Sequence, residues 1–218
     1  MRKLTLFILT MALFLASACP AAASARGGDR NFERAWRVFS NSQTDKALEY
    51  FKKAAQEYTQ ALQEDPPSRT MRFPSTLIKA GISFYYAGDY DQCIKTMKLA
   101  ARKDERIWEG DIYTALSHAR QGDADAAMKS LQLFLDSMSS QRFITNEVIS
   151  QMPGMKDGSV PLANGMELIE QSVQRQIVDN VVKTKNRRAG PIPKEQCSGP
   201  YWWRMSASPC STASSSYD

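Results

Sequence analysis

The side chains with the widest chemical reach in this 218-residue sequence are a single histidine, His118, four cysteines (Cys19, Cys93, Cys197 and Cys210), the Tyr85-Tyr86 pair and the Trp202-Trp203 pair. A metal centre or an activated nucleophile needs His, Cys or carboxylate partners at defined spacing, and none of that kind surrounds His118 in the sequence. There is also no Cys-x-x-Cys-His haem motif, no phosphate-gripping Gly-rich loop and no Gly-x-Ser-x-Gly elbow. An enzyme, a metal site and a resident cofactor are therefore not expected. Tyr, Trp and Arg are instead the residues that most often dominate protein interfaces, so binding to another protein is the chemistry these side chains suit best.

Composition narrows the class further. With 43% apolar and 23% charged residues the chain reads as one ordinary globular domain, which excludes wholesale disorder, collagen-like repetition and a polytopic membrane protein. The 28 basic against 23 acidic residues give a net charge of +5, two units of which come from Arg2 and Lys3. Nothing in that balance calls for a nucleic acid partner.

The N-terminus reads as an address. Arg2 and Lys3 precede the apolar run Leu4 to Leu15, too short to span a bilayer as a permanent helix, and Ala23-Ser24-Ala25 offers the small residues a leader peptidase accepts. Residues 1–25 are thus expected to be a secretory signal, placing the product in the periplasm or on the periplasmic face of the outer membrane. Leu15 to Cys19 resembles a bacterial lipoprotein box, although Ala16 stands where a larger aliphatic is usual and Pro20 follows the cysteine. Two outcomes stay open: acylation at Cys19, each buried methylene adding about 0.8 kcal/mol of membrane attachment, or a lipid-free product cut near Ala25. Membrane contact is expected only through such an anchor.

In an oxidising compartment Cys197 and Cys210, separated by 12 residues, are expected to form a disulfide. Closing such a loop stabilises by roughly 3 kcal/mol. The bond would staple a basic, Pro-rich tail, residues 184–218, and enclose Trp202 and Trp203, one of which could anchor while the other is presented as a tail contact. Cys93 falls in a helical pattern and reads as a packed small side chain.

The elements that would position these residues emerge from self-comparison. Shifted by 34 residues, Ala87 to Lys95 lies over Gln121 to Lys129 with Gly, Asp, Asp and Lys in common; shifted by 46, Asp45 to Ala55 lies over Asp91 to Ala101 with size and polarity preserved. Two amphipathic helices around a Gly-Asp turn, repeated every 34 residues, resemble tetratricopeptide repeats. The likeness is clearest over Pro74 to Glu105: Gly81 is the small contact residue, Phe84 the bulky one, Gly88-Asp89-Tyr90 the turn, and Cys93, Met97 and Ala100 the second-helix contacts. Trp108 to Ser139 repeats it with Ala115, His118, Gly122-Asp123-Ala124, Ala127 and Leu131, departing at Phe134.

Upstream, Asn31 to Phe39 and Thr44 to Glu64 form a modified unit. Its long second helix carries the stripe Ala47, Leu48, Phe51, Ala54, Ala55, Tyr58, Ala61 and Leu62 until Pro66-Pro67 stops it. Downstream, Phe143 to Met152 and Gly165 to Lys183 form a degenerate fourth unit, with Pro153 to Asn164 as a loop and Met166, Ile169, Val173, Ile177 and Val181 as the apolar stripe. The repeat domain is thus expected over 29–183.

The resemblance implies an all-α fold, a right-handed superhelical stack of three to four helix pairs. It also implies a groove lined by the first helix of each unit: Ile78, Ile82, Tyr85 and Tyr86, then Ile112, Leu116, Ala119 and Arg120. By this resemblance a protein or peptide partner would lie there, as in exported adaptors of envelope assembly. In register His118 replaces a core aromatic and is expected to be structural or to sit at the groove edge. The competing expectation is a lipid-anchored structural subunit whose groove is filled by a neighbour or by its own tail.

Overall fold

A computed structural model describes residues 25–39, 43–104, 107–137, 139 and 141–186, with side chains through Asn180. Among them the chain forms eight α-helices and no strand: α1 Ala25–Phe39, α2 Thr44–Gln63, α3 Pro74–Ala87, α4 Tyr90–Ala101, α5 Trp108–Arg120, α6 Ala124–Asp136, α7 Arg142–Asp157 and α8 Leu162–Asn186. A single 3-10 turn, Thr70–Arg72, precedes α3. The all-α class is as expected.

The two central turns are built alike. α3 starts with Pro74, whose missing N–H costs nothing in a first turn, and ends at Gly88 with φ +83°. Only glycine adopts that left-handed geometry without strain, and Gly122 repeats it after α5 with φ +81°. One residue on, Asp89 and Asp123 cap α4 and α6, their carboxylates accepting the backbone N–H of Gln92 at 3.2 Å and of Ala126 at 3.0 Å. The Gln121 side chain donates to Asp91 at 2.7 Å and ties the second turn to the start of α4.

Packing follows chain order. α1 pairs with α2, α3 with α4, α5 with α6 and α7 with α8; α2 also packs on α3 and α4 on α5, while α8 reaches back to α5. The Gly81 position is a close approach, since a Cβ there would come within 2.8 Å of Met97 Cε. Phe32, Phe51, Tyr58, Leu77, Phe84 and Met97 are among the side chains closed off from solvent. Inside the first three helices, Phe51 stacks on Tyr86 with ring centres 4.5 Å apart, and Trp36 stands edge-on to Phe51 at 5.6 Å and to Tyr86 at 6.2 Å. Asp29 of α1 takes a hydrogen bond of 2.7 Å from Tyr58 of α2 and pairs with the buried Lys79 of α3 at 3.3 Å, joining three helices at one point.

Two sequence expectations are corrected. α1 begins at Ala25, six residues before the expected Asn31, because Gly27 and Gly28 let it lie directly on Glu57 and Tyr58 of α2. The stretch from Pro153 is not a loop throughout: α7 runs through it to Asp157 and is closed by Gly158 at φ +81°. Proline removes one donor and crowds the preceding turn. Close contacts between the α7 end and the chain that follows, Gly154 against Val160 and Met155 against Gly165, accompany the continued helix.

Candidate functional site

The eight residues expected to line a groove do not share one environment. Ile78, Ile82 and Ile112 are fully buried and Leu116 is 1% exposed, so these four form core rather than an open groove floor. The physical reason is that α3 packs against both α1 and α5 and α8 reaches α5, leaving the aliphatic side chains between helices. Ala119, also expected at the groove, is partly buried against the same core.

Tyr85, Tyr86 and Arg120 do come together, and a helix is already on them. The carboxylate of Glu170, on α8, accepts the Tyr85 hydroxyl at 2.7 Å and an Arg120 guanidinium N–H at 2.8 Å. The Arg120 Nε also donates to the Tyr85 oxygen at 3.5 Å, which closes a three-residue ring across α3, α5 and α8. Burial, then the neighbouring Glu170 charge, holds the Tyr85 hydroxyl far above its ordinary pKa, so it stays a donor at any physiological pH. The hydroxyls of Tyr86 and Tyr113 lie close to one another, with Gln174 beside Tyr86, yet neither meets hydrogen-bond geometry. Burial raises both pKa values as well.

The components of this ring differ in strength. Glu170 is 14% exposed in its side chain and Arg120 51%, so their ion pair is worth about 0–1 kcal/mol. The Tyr85–Glu170 hydrogen bond lies deeper and, being charge-assisted, contributes roughly 1.5–3 kcal/mol. On the same helix Met166, Ile169, Val173 and Ile177 are buried as the apolar stripe requires, whereas the Val181 side chain lies outside the described ones.

Sequence reasoning missed the polar half of α8. Asn180 donates to Gln141 at 3.0 Å, Gln176 donates to Asn180 at 2.9 Å, and the Gln176 oxygen accepts the backbone N–H of Phe143 at 2.8 Å at the start of α7. Gln141, Gln176 and Asn180 are at most 4% exposed. Ser172, Gln176 and Asn180 recur every fourth residue beside the apolar stripe and carry no charge. That uncharged polar stripe was the available signal.

His118 is not part of the groove ring. It lines a cleft of about 390 Å³ between α4, α5 and α6 with Asp111, Thr114, Lys98 and Lys129, and its Nδ1 lies 3.8 Å from Asp123. Burial lifts the Asp111 carboxyl to about 6. Cys93 is free and buried, its thiol pushed up to about 12 by burial. Among the described residues no three His, Cys, Asp or Glu side chains converge as metal ligands, and no helix is long and apolar enough to cross a membrane. Cys19, Cys197, Cys210, Trp202 and Trp203, with the expected signal up to residue 24 and the expected tail beyond residue 186, lie outside the described residues. No family model, no curated protein and no solved structure matches this chain.

Proposed function

We propose that this protein is an exported, non-catalytic adaptor of tetratricopeptide type, its helix pairs stacked as a right-handed superhelix, that holds a partner protein's helix during assembly of a cell-envelope complex. Residues of its leader direct it to the periplasm or to the periplasmic face of the outer membrane. The observation that carries the reading is the identity of the groove occupant: Tyr85 and Arg120, the polar residues expected to grip a partner, grip a helix of their own chain through Glu170. In the free protein α8 stands where a partner helix would lie. The bonds that hold Glu170 are few, so a partner presenting its own carboxylate competes for the same donors.

The test compares three tagged proteins recovered from their native envelope after crosslinking: the parent, Glu170→Ala, and Tyr85→Phe with Arg120→Ala. Removing Glu170 frees both donors and raises capture of one specific partner above the parent level; the double variant loses that partner. Equal recovery of the same partners by all three overturns the groove as the contact.

A second reading, the lipid-anchored structural subunit without a free groove, draws on the burial of Ile78, Ile82, Ile112 and Leu116. It predicts equal recovery in all three, together with a diacylated Cys19 peptide in the mass spectrum of the envelope-bound protein.

A further inference from the structure

Away from the groove, at the outer side of the α7–α8 pair, two like charges converge on one ring. Arg142 opens α7 and Arg175 lies in the middle of α8, and their guanidinium carbons sit 5.0 and 4.2 Å from the centre of the Phe143 ring. A guanidinium over an aromatic face is favourable by about 0.5–1 kcal/mol when exposed. Two on one ring, however, repel each other, and neither has a carboxylate partner among the described residues. Glu147 is the one acid lining the same cleft, and one of its carboxylate oxygens accepts the Gln151 amide at 2.8 Å.

The start of α7 adds to the excess. Its first turn contains no acidic residue, Gln141 provides no side-chain cap, and its first residue is Arg142 itself. A positive side chain at the positive end of a helix is placed against the macrodipole. The protein therefore concentrates two guanidiniums and a helix N-terminus around one cleft and sets against them the single carboxylate of Glu147, which leaves an excess of positive charge. That cleft measures about 480 Å³, within the range of small-molecule sites, and besides the ring and the arginines it offers the side chains of Asn146 and Ser172 and the half-exposed Leu168. Guanidinium donors lie in the plane of the group, so a guanidinium packed over a ring keeps its edge free for the two oxygens of a carboxylate or phosphate.

We infer that the Arg142–Phe143–Arg175 cleft between α7 and α8 is an oxyanion-binding site, taking the carboxylate or phosphate head of a ligand between its two guanidiniums with the ligand's apolar body against Leu168. The site shares no residue with the Glu170 ring, and its lining comes from α7 and α8 alone.

The experiment titrates the ¹⁵N-labelled full chain with hexanoate and, separately, with inorganic phosphate, at constant ionic strength set by chloride. The amides of Phe143, Asn146, Ser172 and Arg175 are expected to shift saturably with a Kd of about 1 mM or tighter for at least one probe. Hexanoate alone identifies a carboxylate ligand, phosphate alone a phosphate ligand. Arg142→Met and Arg175→Met keep the aliphatic stem on the ring and remove the charge; each is expected to weaken binding by about tenfold, with circular dichroism melting unchanged. The inference is overturned if neither probe saturates these amides, or if both variants bind as the parent does.

Discussion

The body formed by α1 to α6 and the hairpin formed by α7 and α8 are held by different physics. In the body, aromatic rings meet in edge and stacked contacts around Phe51, Trp36, Tyr86 and Tyr113, and the joints between successive helix pairs are apolar and extensive. The hairpin meets α6 only sparsely and rests on α5 through α8, while the amides of Gln141, Gln176 and Asn180 fix α7 against α8. Apolar packing is non-directional and tolerates small shifts; a buried amide bonds only in one register and is costly when its partner is missing. The lesson is that the hairpin is precisely registered within itself yet lightly attached to the body. On the proposed function, an element that yields its seat to another helix needs that combination.

The largest expected effect breaks the body. Phe51→Ala removes a ring that touches Phe32, Trp36 and Tyr86 and is expected to cost about 3–5 kcal/mol in urea unfolding. A loss below about 1 kcal/mol would show that the aromatic cluster is not what holds the first helices together.

A smaller and local effect is expected in the hairpin. Gln176→Ala removes one donor to Asn180 and the acceptor of the Phe143 amide, with an expected loss of roughly 1–3 kcal/mol. Hydrogen exchange should speed up in α7 and α8 while the amides of α3 and α4 keep their protection. Acceleration spread equally over both regions would remove the distinction between them.

The smallest effect sharpens the comparison by locating a polar exception within the body. Burial raises the Asp111 carboxyl from 3.8 to about 6, so the folded state holds its proton more tightly than the unfolded chain. Its unfavourable contribution is absent below about pH 4, grows as pH rises toward 6, and is constant above. Asp111→Asn, measured by thermal melting between pH 4 and 7, should flatten that decline and raise the midpoint at pH 7. A variant that melts lower than the parent at pH 7 would mean that the carboxylate is stabilised by the lysines of its cleft.

Much of the helical layout could be read from residues alone, because its signals are local. Gly88-Asp89 and Gly122-Asp123 specify a left-handed closure followed by a cap, and both turns fold that way. Pro66-Pro67 lies just beyond the end of α2, and the Ala47 to Ala61 stripe buries nearly as written. Pro153 misled, since a proline's local preference was outweighed by the contacts around Gly154 and Gly165. At the candidate site the sequence pointed to Tyr85, Tyr86 and Arg120 but could not reveal Glu170, which lies 50 residues beyond Arg120 and has no sequence signature of its own.

By itself, then, the sequence determined the helical class, the repeated turns, the apolar stripes and the kind of side chains available for binding, because periodicity, caps and glycine geometry act over a few residues. Only the tertiary structure decided that Ile78, Ile82, Ile112 and Leu116 are core, that Glu170 closes on Tyr85 and Arg120, and that Arg142 and Arg175 meet on one ring. The first depends on how α1, α3 and α5 pack, the other two on where α8 comes to rest. That is a long-range choice, set by the sum of many weak contacts rather than by any local motif.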